Sequence, residues 1–201
     1  MNKELDNKLC EKYPKIFVNR NKPMNETCMC WGFDHGDGWY DIIDSMCSAM
    51  TYTFRTSVEV DAERAIAWNL EPAKWNDGEV KYYLDVEGPQ VVADQVKEKF
   101  GTLRFYYHLE FEPKFRELAY GPKPLPSARS LADRYDAYMD GIVHYAECLT
   151  ERTCEETGKA GEMHVSGGSR RGWYRTLNRE HAKTLDRNYV AVADLPKEEP
   201  L

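Results

Sequence analysis

The chain lacks long apolar segments. Its 201 residues contain no run of about 18 apolar residues, the length that a transmembrane helix needs. Residues 1–12 are charged and lack the apolar stretch of a signal peptide. We therefore expect a cytosolic protein with no membrane partner. In that reducing compartment, the six cysteines are predicted to be free thiols or metal ligands rather than disulfides.

Two further absences narrow the function classes. Gly158-Lys159 lacks the upstream glycine and the following Ser/Thr that a phosphate-binding P-loop requires. The net charge of -7 argues against binding nucleic acid with the whole surface, although it allows a local basic patch. What remains is an ordinary globular composition, 42% hydrophobic and 30% charged, which is sufficient to bury a core.

The hydrophobic pattern predicts an α+β fold, in which an antiparallel sheet carries helices on one face. Residues 1–151 are predicted to form the main domain, residues 152–194 a small ribbon-like module, and residues 195–201 a disordered tail. Residues 1–27, with a short apolar island at 16–18, are predicted to be an extended arm or edge strand, and residues 112–127 a non-helical connector, because prolines interrupt both. Helices are predicted at 38–55 (capped by Asp37, with an apolar stripe from Trp39 to Phe54), 62–69 (capped by Asp61, with Ile66 inward), 127–151 and 179–187 (capped by Asn178). Strands are predicted at 80–86, 172–177 and 189–192, a hairpin at 90–96 with 102–111, and a loop at 154–168.

A possible metal site lies in the C-terminal module. Cys154 and His181 are spaced like two ligands of a zinc knuckle, but Thr157 and Asn178 stand where the other two ligands would be. We therefore expect no cofactor: zinc remains possible, but the ligand set is incomplete. An alternative set is Cys28 and Cys30 together with Cys10 or Cys47.

Acidic residues crowd the segment from Asp34 to Asp44. Asp34, His35 and Asp37 are the candidate catalytic residues, because a hydrolase or nuclease needs carboxylates that converge on a metal or a histidine. Capping and helix-dipole interactions by Asp37, Asp41 and Asp44 explain the same pattern without chemistry. A thiolate from Cys28, Cys30 or Cys47 beside His35 is a third possibility.

Basic residues cluster between positions 159 and 187, where seven Lys/Arg stand against three acids. Interleaved aromatic residues make such a surface suitable for phosphates or bases. The strand predicted at 102–111 also has a polar, aromatic face that suits a partner. The candidate partner-binding residues are Arg170, Arg171, Trp173, Arg175 and Arg179 in the module, with Tyr106 and His108 on the strand.

Three segments resemble a set of uncharacterised proteins encoded by tailed phages and prophages. They are residues 28–41 (CMCWGF and GDGWYD), residues 96–107 (VKEKFGTLRFYY), and RTCE at 152–155 with the Gly-Trp and Thr-Leu pairs of 172–177. In similar sequences the knuckle tends to carry cysteine at positions 157 and 178. The resemblance implies a phage accessory protein that acts inside a bacterium.

Together these observations predict a binding protein rather than an enzyme. It would contact a host or defence protein, or a nucleic-acid complex through residues 159–187, as an inhibitor or modulator. A metal-dependent hydrolase or nuclease using the Asp34–Asp44 region is one alternative. A structural or virion-associated component is another.

Overall fold

Helices and short strands alternate along the chain in the computed structural model, which describes residues 1–52, 55–74 and 78–196. The predicted α+β class is confirmed. The helices are α1 (Lys3–Lys12), α2 (Tyr40–Met50), α3 (Ala62–Ala67), α4 (Pro113–Tyr120), α5 (Pro126–Thr150) and α6 (Arg179–Ala182). The strands are β1 (Phe33–Asp34), β2 (Thr56–Val60), β3 (Pro72–Lys74), β4 (Val80–Val86), β5 (Gln90–Lys99), β6 (Thr102–Glu110), β7 (Glu162–Ser166), β8 (Tyr174–Leu177) and β9 (Tyr189–Ala191).

The strands of the described residues form three three-stranded sheets, in the orders β1-β5-β6, β2-β4-β3 and β8-β7-β9. The short β1 runs parallel to β5, and β2, β3, β8 and β9 pair antiparallel to their neighbours. None of the described helices is both long and apolar enough to cross a membrane.

Two compact units divide the chain, and neither is continuous in sequence. The first unit contains Met1–Met50, Val91–His108 and Gly141–Leu201, so the predicted module at 152–194 belongs to it. The second unit contains Thr51–Gln90 and Leu109–Asp140. The predicted tail at 195–201 lies mostly outside the described residues.

The second unit packs helices against the sheet of β2, β3 and β4. Its core joins Val58 and Leu84 of the sheet to Phe115 of α4 and Tyr135 of α5. Asp61 caps α3 as predicted, because its side chain accepts from the backbone N–H of Arg64. The prediction that Ile66 points inward is wrong, since its side chain is 78% exposed.

The prediction of a non-helical connector at 112–127 is also wrong. Helix α4 begins with Pro113 in its first turn. Proline is well suited to that position because its fixed φ is helical and the missing N–H would have had no partner within the helix. Phe115, Leu118 and Ala119 form the buried face of α4.

In the first unit, α2 confirms the helix predicted around residue 45. A 3₁₀ turn from Asp37 to Trp39 leads into it, and Ile43, Met46 and Met50 lie on its buried face. The helix ends at Met50 rather than at 55. Phe54, which was assigned to the same apolar stripe, lies outside the described residues.

The segment 1–27 is not the extended arm that was predicted, because it contains α1. The Asn2 side chain caps this helix by accepting from the backbone N–H groups of Glu4 (2.9 Å) and Leu5 (3.0 Å). After the helix, the backbone N–H of Ala93 in β5 donates to the carbonyl oxygen of Ile16 over 2.8 Å. Ile16 is buried, so the short apolar island docks on β5 as part of the core.

The predicted hairpin is present as β5 and β6, joined by a two-residue turn. Phe100 and Gly101 both have positive φ, 55° and 79°. Two consecutive residues of positive φ match the right-handed twist of the strands, which explains the glycine. The turn is held in place by the Thr176 hydroxyl, which donates to the carbonyl oxygen of Gly101 over 2.7 Å.

The C-terminal part of the first unit is a small sheet. The strands predicted at 172–177 and 189–192 are present as β8 and β9, but the loop predicted at 154–168 is wrong in part because β7 runs between them. Helix α6 is shorter than predicted and ends at Ala182. Asn178 caps it by accepting from the backbone N–H of Glu180, as expected.

Candidate functional site

An open cleft with a volume of about 910 Å³ lies entirely within the first unit. It is named here the tryptophan cleft, after Trp31 and Trp173 in its lining. The lining comes from residues 1–2, 28–37, 95–98, 155–156 and 173–175. These stretches include parts of all three segments that carry the phage resemblance, although the segments are far apart in sequence.

Backbone contacts explain how the glycine-rich segment reaches the cleft. The N–H of Gly38 donates to the carbonyl oxygen of Glu155 over 2.7 Å, and the indole N–H of Trp39 donates to that of Thr153 over 2.8 Å. A Cβ on Gly36 or Gly38 would overlap the backbone of the 154–158 turn. The two glycines are therefore required for close packing.

Asp37 does not cap α2, so this prediction is wrong. Gly36 occupies the cap position of the 3₁₀ turn, and no side chain bonds there. The Asp37 carboxylate instead accepts from Asn2, through the backbone N–H (2.6 Å) and the side-chain amide (2.7 Å). These donors lower the pKa of Asp37, so it remains a carboxylate and anchors residue 2.

His35 is a buried titratable group of the cleft, with 7% of its surface exposed. Its ring lies 6.1 Å from that of Phe33 and 5.4 Å from that of Trp39. Nδ1 lies 2.7 Å from the carbonyl oxygen of Gly36, so Nδ1 carries the proton and donates it. Burial lowers the pKa of His35 to about 4. The ring is thus neutral near pH 7, and Nε2 is a bare acceptor.

Glu155 and Arg175 form a buried ion pair beside the cleft. The Arg175 guanidinium donates to Oε1 of both Glu155 and Glu156. Burial disfavours its charge, but the two carboxylates outweigh burial and raise the pKa of Arg175. Glu155 is only 3% exposed, and its other oxygen, Oε2, has no hydrogen-bond partner.

Two buried polar atoms of the described side chains have no partner, and both belong to residues of the tryptophan cleft. They are Nε2 of His35 and Oε2 of Glu155. An unpaired buried polar group costs about 1–3 kcal/mol, so such groups are rare and need an explanation. Both atoms are acceptors, and the cleft therefore lacks donors for them.

The cleft is acidic. Burial raises the pKa of Glu98, and the nearby carboxylates of Glu155 and Asp34 raise it further. The hydrogen bond from the Gly101 N–H and the charge of Arg175 lower this pKa but do not outweigh burial. Across the lining, five acidic side chains (Asp34, Asp37, Glu98, Glu155 and Glu156) outnumber three positively charged groups, which are Lys97, Arg175 and the Met1 amino group. This balance favours a cationic ligand over an anionic one.

Trp31 and Trp173 are the exposed aromatic residues of the lining, at 67% and 59% of their surface. A 3₁₀ turn from Cys28 to Trp31, capped by the Thr27 side chain, presents the first. The backbone N–H of Trp173 donates to the Ser166 hydroxyl over 2.8 Å. Exposed tryptophans beside a cleft are typical anchors of a binding surface.

The acidic residues of the segment from Asp34 to Asp44 are brought together only in part. Asp34, His35 and Asp37 all line the cleft, whereas Asp41 and Asp44 do not. Asp44 accepts from the Lys12 ammonium (2.7 Å) and from the Tyr13 hydroxyl (3.0 Å). The Asp34–Asp44 region therefore does not converge on one reacting point.

Among the candidate thiols, Cys28 lines the cleft and Cys47 is buried in the core. Burial raises the pKa of Cys47, so it stays a protonated thiol. Burial and the neighbouring Asp6 carboxylate raise the pKa of Cys10 to about 12. Neither of these two thiols has the character of a nucleophile or of a ready metal ligand.

The knuckle-like segment is held by hydrogen bonds. Cys154 is buried against Leu177 and Ala182, while His181 is half-buried on α6. The Asn178 amide donates to the carbonyl oxygen of Ala160 over 3.0 Å and so ties the 154–160 turn to α6. In the parts of the chain that the structure describes, no three His, Cys, Asp or Glu side chains are grouped to hold a metal.

Three of the seven basic side chains of the predicted basic surface pair with carboxylates of the same molecule. Arg175 is paired as described, Arg179 pairs with Glu162 and Asp194, and Lys183 pairs with Glu180. Arg170 and Arg171 are exposed in the turn between β7 and β8. The positive charge of residues 159–187 is thus balanced at these three side chains by carboxylates in contact with them.

Tyr106 and His108 lie on β6 and are not part of the cleft lining. The Lys97 ammonium is 5.2 Å from the centre of the Tyr106 ring, and Nδ1 of His108 is 2.9 Å from an Asp94 oxygen. Both side chains therefore have partners on β5.

Sequence reasoning missed the acidic half of the site. Glu98, Glu155 and Glu156 were not candidates, because nothing local distinguishes them from solvated glutamates. The one signal was that Glu98 and Glu155 fall inside the segments of the phage resemblance. The sequence matches no known protein family, and no curated protein or solved structure matches the chain.

Proposed function

We propose that the protein is a phage-encoded accessory protein that acts by binding another protein inside the bacterium, and that the tryptophan cleft is its contact site. One observation carries the proposal: two exposed tryptophans border a cleft that also contains two buried acceptors without partners. Recognition sites commonly place exposed aromatic residues around polar groups that lack hydrogen-bond donors. The phage origin is supported by the motif resemblance.

The charges of the first unit favour a protein over a nucleic acid as the partner. The cleft lining is acidic and would repel phosphates. Outside it, Arg179 and Lys183 already pair with carboxylates. A hydrolase receives less support, because Asp37 and Asp44 are held by Asn2 and Lys12.

The experiment is affinity capture from infected bacteria with wild type, a Trp31→Ala/Trp173→Ala variant and a Tyr145→Ala control. Tyr145 is an equally exposed aromatic residue that lies outside the cleft lining. We expect wild type and control to retain one identified protein that the double variant loses. The affinity for that purified protein should fall at least 30-fold, about 2 kcal/mol, the loss typical of one hot-spot tryptophan.

Equal capture by all three proteins would overturn the proposal. The three thermal unfolding curves should coincide, because the substituted side chains are exposed. This comparison separates lost binding from lost folding.

A further inference from the structure

The occupant of the tryptophan cleft follows from its donors, acceptors and charge. We infer that the cleft receives the guanidinium group of an arginine residue of the partner protein. This inference rests on the proposed binding function and specifies its ligand. The unpaired acceptors, the charges of the lining and the two tryptophans support the guanidinium as the ligand.

The unpaired acceptors define what the ligand must carry. Because Nδ1 of His35 donates to Gly36, Nε2 can only accept while the ring is neutral. Oε2 of Glu155 is the oxygen without a partner, because the Arg175 guanidinium binds the other oxygen, Oε1. A ligand that satisfies both atoms must present more than one N–H or O–H donor.

The lining charges require that this donor be a cation. Five carboxylates against three positively charged groups, Lys97, Arg175 and the Met1 amino group, leave an excess of negative charge. One cation in the cleft would be attracted by that excess, and its hydrogen bonds to carboxylates would be charge-assisted. An anionic or neutral ligand would leave the excess uncompensated.

The tryptophans select guanidinium over ammonium. Trp31 and Trp173 offer exposed ring faces beside the acidic lining. A planar guanidinium can stack on an indole while its edge donates in a fork, whereas an ammonium is a compact, strongly hydrated charge. The protein already binds one such group here, since the Arg175 guanidinium bridges Glu155 and Glu156.

Entry of the ligand requires a local rearrangement. The two unpaired acceptors are covered in the present conformation. A lining side chain must change rotamer before a ligand touches them, which is common at protein interfaces. The exposed Asp34 carboxylate and the tryptophan faces would make the first contacts.

The test is a titration of the full-length protein with three capped peptides that differ at one position: Gly-Arg-Gly, Gly-Lys-Gly and Gly-citrulline-Gly. Citrulline keeps the planar shape and removes the charge. The readout is the NMR signal of the Trp31 and Trp173 indole N–H groups, assigned with the single Trp→Ala variants. We expect saturable shifts with the arginine peptide, binding at least tenfold weaker for lysine, and no saturable binding of citrulline.

Two variants locate the bound group. Asp34→Asn should weaken arginine binding several-fold, and its thermal unfolding curve should match that of wild type because the side chain is exposed. Glu155→Gln should weaken binding about tenfold, as expected for one charge-assisted hydrogen bond. Equal shifts with arginine and citrulline, or no shift with arginine at saturating millimolar peptide, would overturn the inference.

A competition experiment between the arginine peptide and the partner protein tests the guanidinium site and the binding function separately. If the partner needs both tryptophans but the arginine peptide fails to displace it, the binding function stands and the guanidinium assignment fails. If the arginine peptide binds and the partner does not need the tryptophans, the guanidinium site stands and the proposed function fails.

Discussion

The neutral, buried His35 should make the protein sensitive to mild acid. Its pKa of about 4 in the folded state lies well below the ordinary value of 6.5. Between about pH 6.5 and pH 4, His35 is therefore protonated in the unfolded chain but neutral in the folded protein. The free energy of unfolding should fall across this window by about 3 kcal/mol, since each unit of pKa shift corresponds to about 1.4 kcal/mol.

The surroundings of the His35 ring explain why its pKa is lowered. Burial opposes the charged form most strongly, and the Met1 amino group adds to that effect. The Gly36 carbonyl and the Asp37 carboxylate act in the opposite direction but do not outweigh burial. Stability is therefore complete above pH 6.5 and is lost as the pH falls toward 4.

The assay combines an NMR titration of the His35 ring with urea unfolding at several pH values. His35→Asn is the matched control, because its amide can still donate toward the Gly36 carbonyl but does not titrate. The stability difference between wild type and His35→Asn should shrink by about 3 kcal/mol from pH 7 to pH 4. A His35 midpoint at or above pH 6, or a difference that does not change with pH, would refute the reasoning.

Three other outcomes test the packing around the cleft. Gly38→Ala should lower the free energy of unfolding by about 1–3 kcal/mol, because the added Cβ would overlap the backbone of the 154–158 turn. Gly141→Ala in α5 should raise the free energy of unfolding by about 0.5–1 kcal/mol, because nothing lies within 4 Å of the added Cβ. Equal urea midpoints for the two would contradict the close approach. Asn178→Ala should cost about 1–2 kcal/mol through the lost cap and the freed carbonyl, and an unchanged urea midpoint would show that the tie is unimportant. Elemental analysis should find far less than one zinc per chain, since Cys154 and His181 make an incomplete set; stoichiometric zinc would overturn that expectation.

The elements that sequence reasoning placed well are those with a strong period or a clear cap. Helix α5 carries a long apolar stripe, and strand β6 alternates regularly, so local pattern and final structure agree. Asp61 and Asn178 cap α3 and α6 because their side chains accept hydrogen bonds from backbone N–H groups that have no partner within the helix.

The missed elements have weak or misleading local signals. Helix α1 buries only Leu9 and Asp6, which is too little apolar surface to produce a period. Helix α4 was hidden by its neighbouring prolines, although a proline in the first turn starts a helix as readily as it ends one. In both cases tertiary packing decided the structure of a sequence with an ambiguous pattern.

The site was half predictable for a different reason. Asp34 and His35 stand out because they sit among cysteines, glycines and tryptophan in one stretch. Glu155 and Trp173 lie more than 100 residues later, and no local pattern tells which distant segments will meet. The ion pairs that neutralise Arg175 and Arg179 are equally invisible in a count of charges.

The hydrogen bond from the Trp39 indole to Thr153 spans 114 residues of sequence and constrains the order of folding. During synthesis, the segment that contains Trp39 emerges long before the strand-and-turn region that covers it. The second unit ends at Asp140, so all of its residues are made before Thr153 appears. We expect the second unit to gain its core first, while the indole N–H of Trp39 has no native acceptor until Thr153 has been made. Exposure of Trp39 in the nascent chain should therefore depend on how quickly the ribosome reaches Thr153.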